Sequence, residues 1–251
     1  MRKRIVAGNW KMNTDLTNGY ALLKDVLDLV REDELSKCEV IIFAPFVHLK
    51  VFQNSLNGSG IALGAQNCHQ EKSGAYTGEI SAEMLASIPV EYILIGHSER
   101  RQFCGETNEM LAQKINRAFE ENIKAVYCFG ETLEERESNH HFAIVEAQLR
   151  EGLSNLTKEQ MAMVVVAYEP VWAIGTGKTA SAEQAQEIHA KARTVLADMF
   201  GEVTAAATRI LYGGSVKPSN ATELFNMQDI DGGLIGGAAL DATAFSEIVK
   251  A

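Results

Sequence analysis

Residues 164–168 read Val-Val-Val-Ala-Tyr, and they are followed by Glu169 and Pro170. This run is short and would be apolar on both faces of an extended chain. That pattern is typical of a strand in a parallel sheet that is covered on both sides. Seven similar runs occur elsewhere, so the eight predicted strands are Ile5–Gly8, Val40–Ala44, Ile61–Ala65, Tyr92–Gly96, Ala125–Phe129, Val164–Tyr168, Ile210–Tyr212 and Leu234–Ile235.

Segments with helical spacing separate most of these runs. After the first run, Leu23, Val26, Leu27 and Val30 recur at intervals of three or four residues, which places them on one helical face. The same reasoning predicts helices over Leu16–Leu29, Met110–Phe119, Val145–Leu156 and Ala182–Phe200.

The alternation of strands and helices favours an α/β fold, a closed (β/α)8 parallel barrel. The chain has 251 residues, close to the length of about 250 that is typical of such barrels. An open doubly wound sheet is the alternative. No linker rich in proline, glycine or serine divides the chain, so we expect a single domain over residues 1–251.

Composition and charge narrow the possible partners and compartments. The formal net charge of −10 argues against a general nucleic-acid surface, which would be basic. No apolar stretch reaches the roughly 18 residues of a membrane span, and the N-terminus lacks an apolar signal segment. The four cysteines are scattered without a CxxC pair. We therefore expect free thiols, a cytoplasmic protein and no membrane partner.

Polar residues close several of the apolar runs. In a closed barrel the active site lies at the C-terminal ends of the strands, so these side chains should converge on one mouth. They are Asn9, Lys11, Gln66, Asn67, His97, Glu99, Glu131, Glu169, Ser215, Gly236 and Gly237.

Three of these residues suggest acid–base chemistry on an anion. Glu169 ends a buried strand, and partial burial should raise its pKa and make it a better general base; a structural ion pair is the alternative. If a helix begins at Ser98, its dipole should keep His97 neutral, although a structural histidine is also possible. Lys11 could supply local positive charge in an acidic protein, unless it is an ordinary surface lysine.

The run from Ala173 to Thr179 resembles a nucleotide-binding P-loop at first sight. That motif requires a glycine where this chain has Trp172, so we interpret the run as a mobile lid instead. Two later glycine clusters, YGGSV at 212–216 and GGLIGG at 232–237, follow the strands where barrels often bind phosphate. Glycines needed only for tight turns are the alternative.

Four segments resemble the triosephosphate isomerase family, in the family's order: GNWKMN at 8–13, GHSERR at 96–101, AYEPVWAIGTGKT at 167–179 and YGGSV at 212–216. The resemblance extends from Gly8 to Ala239. It implies an isomerase of glycolysis and gluconeogenesis that interconverts dihydroxyacetone phosphate and D-glyceraldehyde 3-phosphate through an enediolate. It implies no cofactor and no metal.

The resemblance also implies a role for each matching residue. Glu169 would be the catalytic base and His97 the electrophile, while Lys11 and Asn9 would hold the charge and oxygens of the substrate. Glu99 and Cys128 would support them. Phosphate would bind to Gly175, Ser215, Gly236 and Gly237, and Tyr212 and Ser215 would latch the lid. The lid would comprise Pro170, Val171, Trp172, Ala173, Ile174, Gly175, Thr176, Gly177, Lys178, Thr179 and Ala180.

The loop at 66–81 resembles the segment through which subunits of the family interlock, so Thr77 would reach the active site of the partner in a homodimer. Thr14, Phe129 and Ala239 depart from the family pattern without touching the proposed chemistry. Two other functions stay open. One is another phosphate-binding barrel enzyme, such as a Schiff-base aldolase or a ribulose-phosphate-type isomerase, and the other is a non-catalytic barrel that only binds its ligand. An aldolase would need a buried lysine within a strand, and none of the eight runs contains one.

Overall fold

The computed structural model describes residues 2–173 and 179–251. Within them, parallel strands β1 to β8 form one closed barrel in chain order. The last strand pairs with the first, aligning Ile5 with Gly232 and Gly8 with Ile235. The predicted barrel is therefore confirmed, and the open doubly wound alternative is wrong. The strands are β1 Arg4–Asn9, β2 Cys38–Ala44, β3 Ile61–Ala65, β4 Tyr92–Ile95, β5 Lys124–Phe129, β6 Val164–Tyr168, β7 Ile210–Tyr212 and β8 Gly232–Ile235.

Helices connect the strands on the outside of the barrel. The α-helices are α1 Leu16–Leu29, α2 Glu32–Lys37, α3 Phe46–Leu56, α4 Ala82–Ala86, α5 Ser98–Cys104, α6 Asn108–Glu120, α7 Leu133–Glu137, α8 His141–Gly152, α9 Ala182–Phe200, α10 Glu202–Ala207, α11 Pro218–Phe225 and α12 Ala242–Lys250. Short 3-10 helices cover Gln160–Met163, Val171–Ala173 and Gly237–Leu240.

The predicted bounds of α1 and α9 are confirmed, and α6 begins two residues earlier than predicted. The prediction for α8 was wrong by four residues at each end. The apolar spacing continues through Leu153 and Leu156, but the helix ends at Gly152, a residue type that weakens helices.

Side chains alternate along each strand between two apolar layers. One layer fills the inside of the barrel and the other packs between the barrel and the helices. In β6, for example, Val165 and Ala167 point inward, whereas Val164, Val166 and Tyr168 point toward the helices. The runs are apolar throughout because both layers exclude water. Among the described helices, none is long and apolar enough to cross a membrane.

Candidate active site

A cavity of about 740 Å³ opens at the C-terminal ends of the strands. Its walls come from loops that are distant in sequence but adjacent around the barrel. The structure brings these predicted residues together there: Asn9, Lys11, His97, Glu169, Ser215, Gly236 and Gly237.

Glu169 follows β6 and its side chain is buried. One carboxylate oxygen, Oε1, lies 2.9 Å from Nε2 of His97, and the other accepts a hydrogen bond of 2.8 Å from the Ser98 amide. His97 is the N-cap of α5, which begins at Ser98 as the dipole argument required. Its Nδ1 accepts the Glu99 amide hydrogen at 3.3 Å. The accepted hydrogen bond at Nδ1 places the ring proton on Nε2, facing Glu169, in a neutral imidazole.

The pKa values of this pair shift in opposite directions. Burial alone raises the pKa of Glu169, but the His97 ring, the Ser98 amide and Lys11 together hold it below its usual value. The predicted upward shift of this carboxyl was therefore wrong, because burial acts together with three groups that stabilise the anion. Burial is the largest effect on the pKa of His97 and lowers it, but the charge and hydrogen bond of Glu169 together with the charge of Glu99 raise it above its usual value overall. This direction opposes the neutral ring that the helix dipole predicts, whereas the hydrogen bond accepted at Nδ1 supports it.

Lys11 follows β1, and hydrogen bonds to both its amide and its carbonyl hold the backbone of this loop in place. Its amide donates to the side chain of Asn9 at 3.0 Å, and its carbonyl accepts a 2.9 Å hydrogen bond from Gln66 Nε2. The ammonium lies 2.6 Å from Oε1 of Glu99. Lys11 thus faces the cavity with its charge partly balanced by Glu99, and both side chains retain contact with water.

Cys128 lies inside the barrel beneath Glu169 and is buried. Burial, reinforced by the negative charge of Glu169, raises the pKa of this thiol well above its usual value. Cys128 is therefore a neutral packing group at physiological pH and is unsuited to act as a nucleophile.

The base of the predicted lid rests on a buried carboxylate that sequence reasoning left without a role. Oε1 of Glu131 accepts hydrogen bonds from the Tyr168 hydroxyl at 3.0 Å and from Trp172 Nε1 at 2.8 Å. Arg136 lies 3.0 Å from the same oxygen and stacks over the Trp172 ring. The only signal in the sequence was the position of Glu131 just past the end of β5.

The predicted lid is described at its two ends. Its residues 174–178, which include the predicted phosphate ligand Gly175, lie outside the described residues. At the far side, burial raises the pKa of Tyr212 to about 12, and the backbone of Ala180 acts in the opposite direction. The predicted latch residue is therefore next to the end of the lid. Its other predicted member, Ser215, lines the cavity.

Sequence reasoning also missed His48, which supports the loop carrying Lys11. Lys11 and Thr14 both adopt the left-handed region, with φ of 52° and 67°, which is unfavourable for side-chain-bearing residues. The buried His48 ring of α3 places Nε2 3.0 Å from the Asp15 carbonyl and 3.3 Å from the Thr14 hydroxyl. Gly19 of α1 faces this ring, since a Cβ there would lie only 2.5 Å from Nε2.

Thr77 lies on an exposed loop and does not belong to the described lining of the chain's own cavity. Within this loop, the rings of His69 and Tyr76 stack with their centroids 4.4 Å apart. The loop is thus locally ordered while its tip remains open to solvent.

Comparisons with known proteins agree with this geometry. The family model for triosephosphate isomerase matches residues 4–251. Curated proteins named triosephosphate isomerase are similar to the chain over 100% of its length. One from Chloroherpeton thalassium is 54% identical, with 99% of its own length covered. Others, from Phocaeicola vulgatus and Porphyromonas gingivalis, are 53% and 48% identical, with 99% and 100% of their lengths covered. The chain therefore belongs to the triosephosphate isomerase family.

Proposed function

We propose that Glu169, His97, Lys11 and Asn9 are the residues with which this isomerase interconverts dihydroxyacetone phosphate and D-glyceraldehyde 3-phosphate, a step of glycolysis and gluconeogenesis. One observation carries the proposal. A buried carboxylate lies 2.9 Å from Nε2 of the His97 imidazole, and both line a cavity that also contains Lys11 and the two predicted phosphate loops.

Proton transfer can then proceed with groups of this chain alone. Glu169 removes a proton from the carbon beside the substrate carbonyl and returns it to the neighbouring carbon. The Nε2–H of His97, with Asn9 and Lys11, stabilises the enediolate oxygens as negative charge develops, each oriented donor contributing on the order of 3 kcal/mol. The present contact between Glu169 and His97 leaves no room for substrate between them. The carboxylate must therefore leave His97 and the Ser98 amide when substrate binds.

The remaining predicted residues hold the substrate and control water. Gly236, Gly237 and Ser215 line the cavity, where their backbone amides would bind phosphate oxygens, and Gly175 would complete the set. Closure of residues 170–180 would exclude water and strengthen the interactions of His97 and Lys11 with the reacting oxygens. Tyr212 and Ser215 would latch the closed lid. Glu99 and Cys128 would position Lys11 and Glu169, which they contact.

The test is a coupled assay with D-glyceraldehyde 3-phosphate, comparing the wild type with Glu169→Asp. Aspartate keeps the charge but withdraws the carboxylate by about 1 Å, and misplacement on that scale costs roughly 100-fold in rate. Glu247→Asp on the exposed face of α12 is the matched control and should retain wild-type turnover. Undiminished kcat in Glu169→Asp would show that Glu169 is not the base.

The positions of the described lysines argue against the Schiff-base aldolase that the sequence left open. The structure extends β5 to Lys124, but this lysine lies at the N-terminal end of the barrel, away from the cavity. The buried Lys114 lies on α6, where its Nζ pairs with Glu106. Borohydride in the presence of substrate should therefore trap no adduct. Calorimetric binding of substrate without turnover would instead favour a non-catalytic barrel.

We also propose that the chain forms a homodimer through the loops after β1, β2 and β3. These strands are neighbours, and the elements that follow them expose large apolar side chains, including Met12, Val47 and Tyr76. Exposed apolar groups on adjacent loops are a common mark of a protein interface. Thr77, at the tip of the third loop, would then enter the cavity of the partner.

Sedimentation equilibrium tests the dimer directly. The wild type should have twice the mass of the chain, and Val47→Glu should shift it toward monomer because a charge would be buried in the interface. Val203 is 86% exposed on α10, away from these loops. Val203→Glu therefore provides a control that should leave the mass unchanged. A monomeric wild type would contradict the proposal.

Finally, we propose a single domain over residues 1–251 and a cytoplasmic location. The single closed barrel supports the first, and the four unpaired cysteines support a reducing compartment. Limited proteolysis should yield no independently folded fragment. Fractionation of the native cells should recover the protein with cytoplasmic markers.

A further inference from the structure

Charge around the cavity is unevenly balanced. Among its described lining residues, Lys11, Glu169 and Lys217 carry formal charges. The Lys11 ammonium is paired with Glu99 at 2.6 Å, and Glu169 is bound by His97 and Ser98. Lys217 is exposed, and no ion-pair partner for it occurs in the part of the chain that the structure describes. Of the described lysines at the cavity, it is therefore the one whose charge is least neutralised.

The backbone holds Lys217 in a defined place beside the predicted phosphate loop. Its amide donates to Asn220 Oδ1 at 2.7 Å, and Asn220 Nδ2 donates to the Ser215 carbonyl at 3.1 Å. Pro218, which begins α11, further restricts the chain at this point. Lys217 is thus tethered two residues after Ser215, with its side chain at the rim and in water.

The net negative charge of the protein repels an anionic substrate, and the positive charge of Lys217 can counter this repulsion at the cavity. The chain carries a net charge of −10, and a phosphate monoester carries about −1.5 to −2 at pH 7. An unpaired cation at the mouth reverses this repulsion locally and raises the rate at which anions enter. We propose that Lys217 is an electrostatic steering residue that attracts the phosphate dianion of the triose phosphate to the cavity. This inference rests on the proposed function.

The size of the effect follows from Coulomb's law. One positive charge acting on a dianion across about 8 Å of water changes an encounter equilibrium by roughly five-fold. Salt should remove most of this effect, because the screening length falls from about 30 Å at 0.01 M to about 3 Å at 1 M. Steering therefore predicts a salt-dependent loss in kcat/KM with kcat unchanged.

The kinetic test compares Lys217→Gln with Lys24→Gln, which removes the same charge from an exposed site on α1 outside the cavity. At low ionic strength we expect about five-fold lower kcat/KM for Lys217→Gln and less than two-fold for Lys24→Gln. Lys217→Arg should restore the wild-type value, and glyceraldehyde without phosphate should be used equally by all variants. Equal losses in the two glutamine variants, or a loss that salt does not reduce, would overturn the proposal.

A binding measurement separates this inference from the catalytic one. Calorimetric titration with glycerol 3-phosphate, which has the same charge but no carbonyl, requires no turnover. Weaker binding by Lys217→Gln at low salt alone would support steering even if the wild type failed to isomerise substrate. Unchanged binding at both salt concentrations would overturn steering while leaving the roles of Glu169 and His97 intact.

Discussion

At the N-terminal end of the barrel, Asp231 contacts two arginines, Arg2 at 2.5 Å and Arg193 at 3.0 Å. At the C-terminal end, Glu169 contacts an imidazole and a backbone amide, and among residues 2–173 and 179–251 it pairs with no arginine. Both carboxylates are buried. Permanent cations fix the charge of Asp231, whereas under the proposed mechanism His97 releases Glu169 when substrate binds. On that mechanism, similar side chains would serve stability at one end of the barrel and chemistry at the other.

The largest expected effect is on activity at the C-terminal end. Lys11→Met should lower kcat/KM by on the order of 100-fold or more, chiefly through KM, because it removes the paired cation that faces the phosphate loops. Thermal unfolding should change little, since partly exposed ion pairs contribute only about 0–1 kcal/mol. Lys3→Met, an exposed lysine at the opposite end, is the control. A KM equal to that of the wild type would remove Lys11 from substrate binding.

At the N-terminal end we expect the opposite pattern, a loss of stability with little change in activity. Asp231→Asn should lower the free energy of unfolding by about 2 kcal/mol, because partly buried Arg2 loses its ion-pair partner and Arg193 keeps only Asp229. It should leave kcat/KM within about two-fold of the wild type, since the site lies at the other rim. Urea denaturation and steady-state assays measure the two quantities. A large loss of kcat/KM with unchanged unfolding would contradict the division between the two ends.

Gly232 at the start of β8 and Gly237 just after it allow the same comparison, of stability with activity, within one short segment. At Gly232, with φ of 128°, a Cβ would lie 1.9 Å from the Ile5 carbonyl oxygen, whereas at Gly237 nothing lies within 4 Å. Gly232→Ala should therefore destabilise the fold by roughly 3 kcal/mol or more. Gly237→Ala should leave stability nearly unchanged and raise KM about ten-fold, as its methyl enters the phosphate cavity. Circular dichroism melts and KM values distinguish these outcomes, and comparable melting temperatures would break the comparison.

The smallest expected effect is a shift in a titration. The pKa of Glu169 lies below its usual value because His97, Ser98 and Lys11 outweigh the effect of burial. The wild-type carboxylate should therefore stay ionised to lower pH than an ordinary glutamate, and His97→Gln should shift its midpoint upward. Carbon-13 NMR of the side-chain carboxyl, identified by its absence in Glu169→Gln, measures both. A midpoint that does not move would show that His97 is not the stabilising group.

The sequence predicted the barrel because each strand leaves a local signal, a short apolar run bounded by polar residues. It also indicated which side chains follow the strands. It did not predict how those side chains would pair across the mouth. Glu99 reaches Lys11, and the Ser98 amide reaches Glu169, across 88 and 71 positions of the chain. Such contacts depend on barrel closure and side-chain conformation, so the direction of the Glu169 pKa shift was predicted wrongly.

The buried side chains that hold the Lys11 loop and the base of the lid were harder still to predict. His48 and Glu131 have no unusual neighbours in sequence, and their partners come from other connecting segments.

The contact between Gly19 and His48 constrains how this protein can change over evolutionary time. Glycine inside helix α1 costs about 1 kcal/mol relative to alanine, so mutation to alanine should be favoured there. While His48 is present, however, an added methyl would collide with its ring. The substitutions can therefore be accepted in only one order, a smaller residue at 48 first and alanine at 19 afterwards. Lineages of this family should therefore not combine alanine at 19 with histidine at 48, whereas glycine at 19 without the histidine should occur as the intermediate.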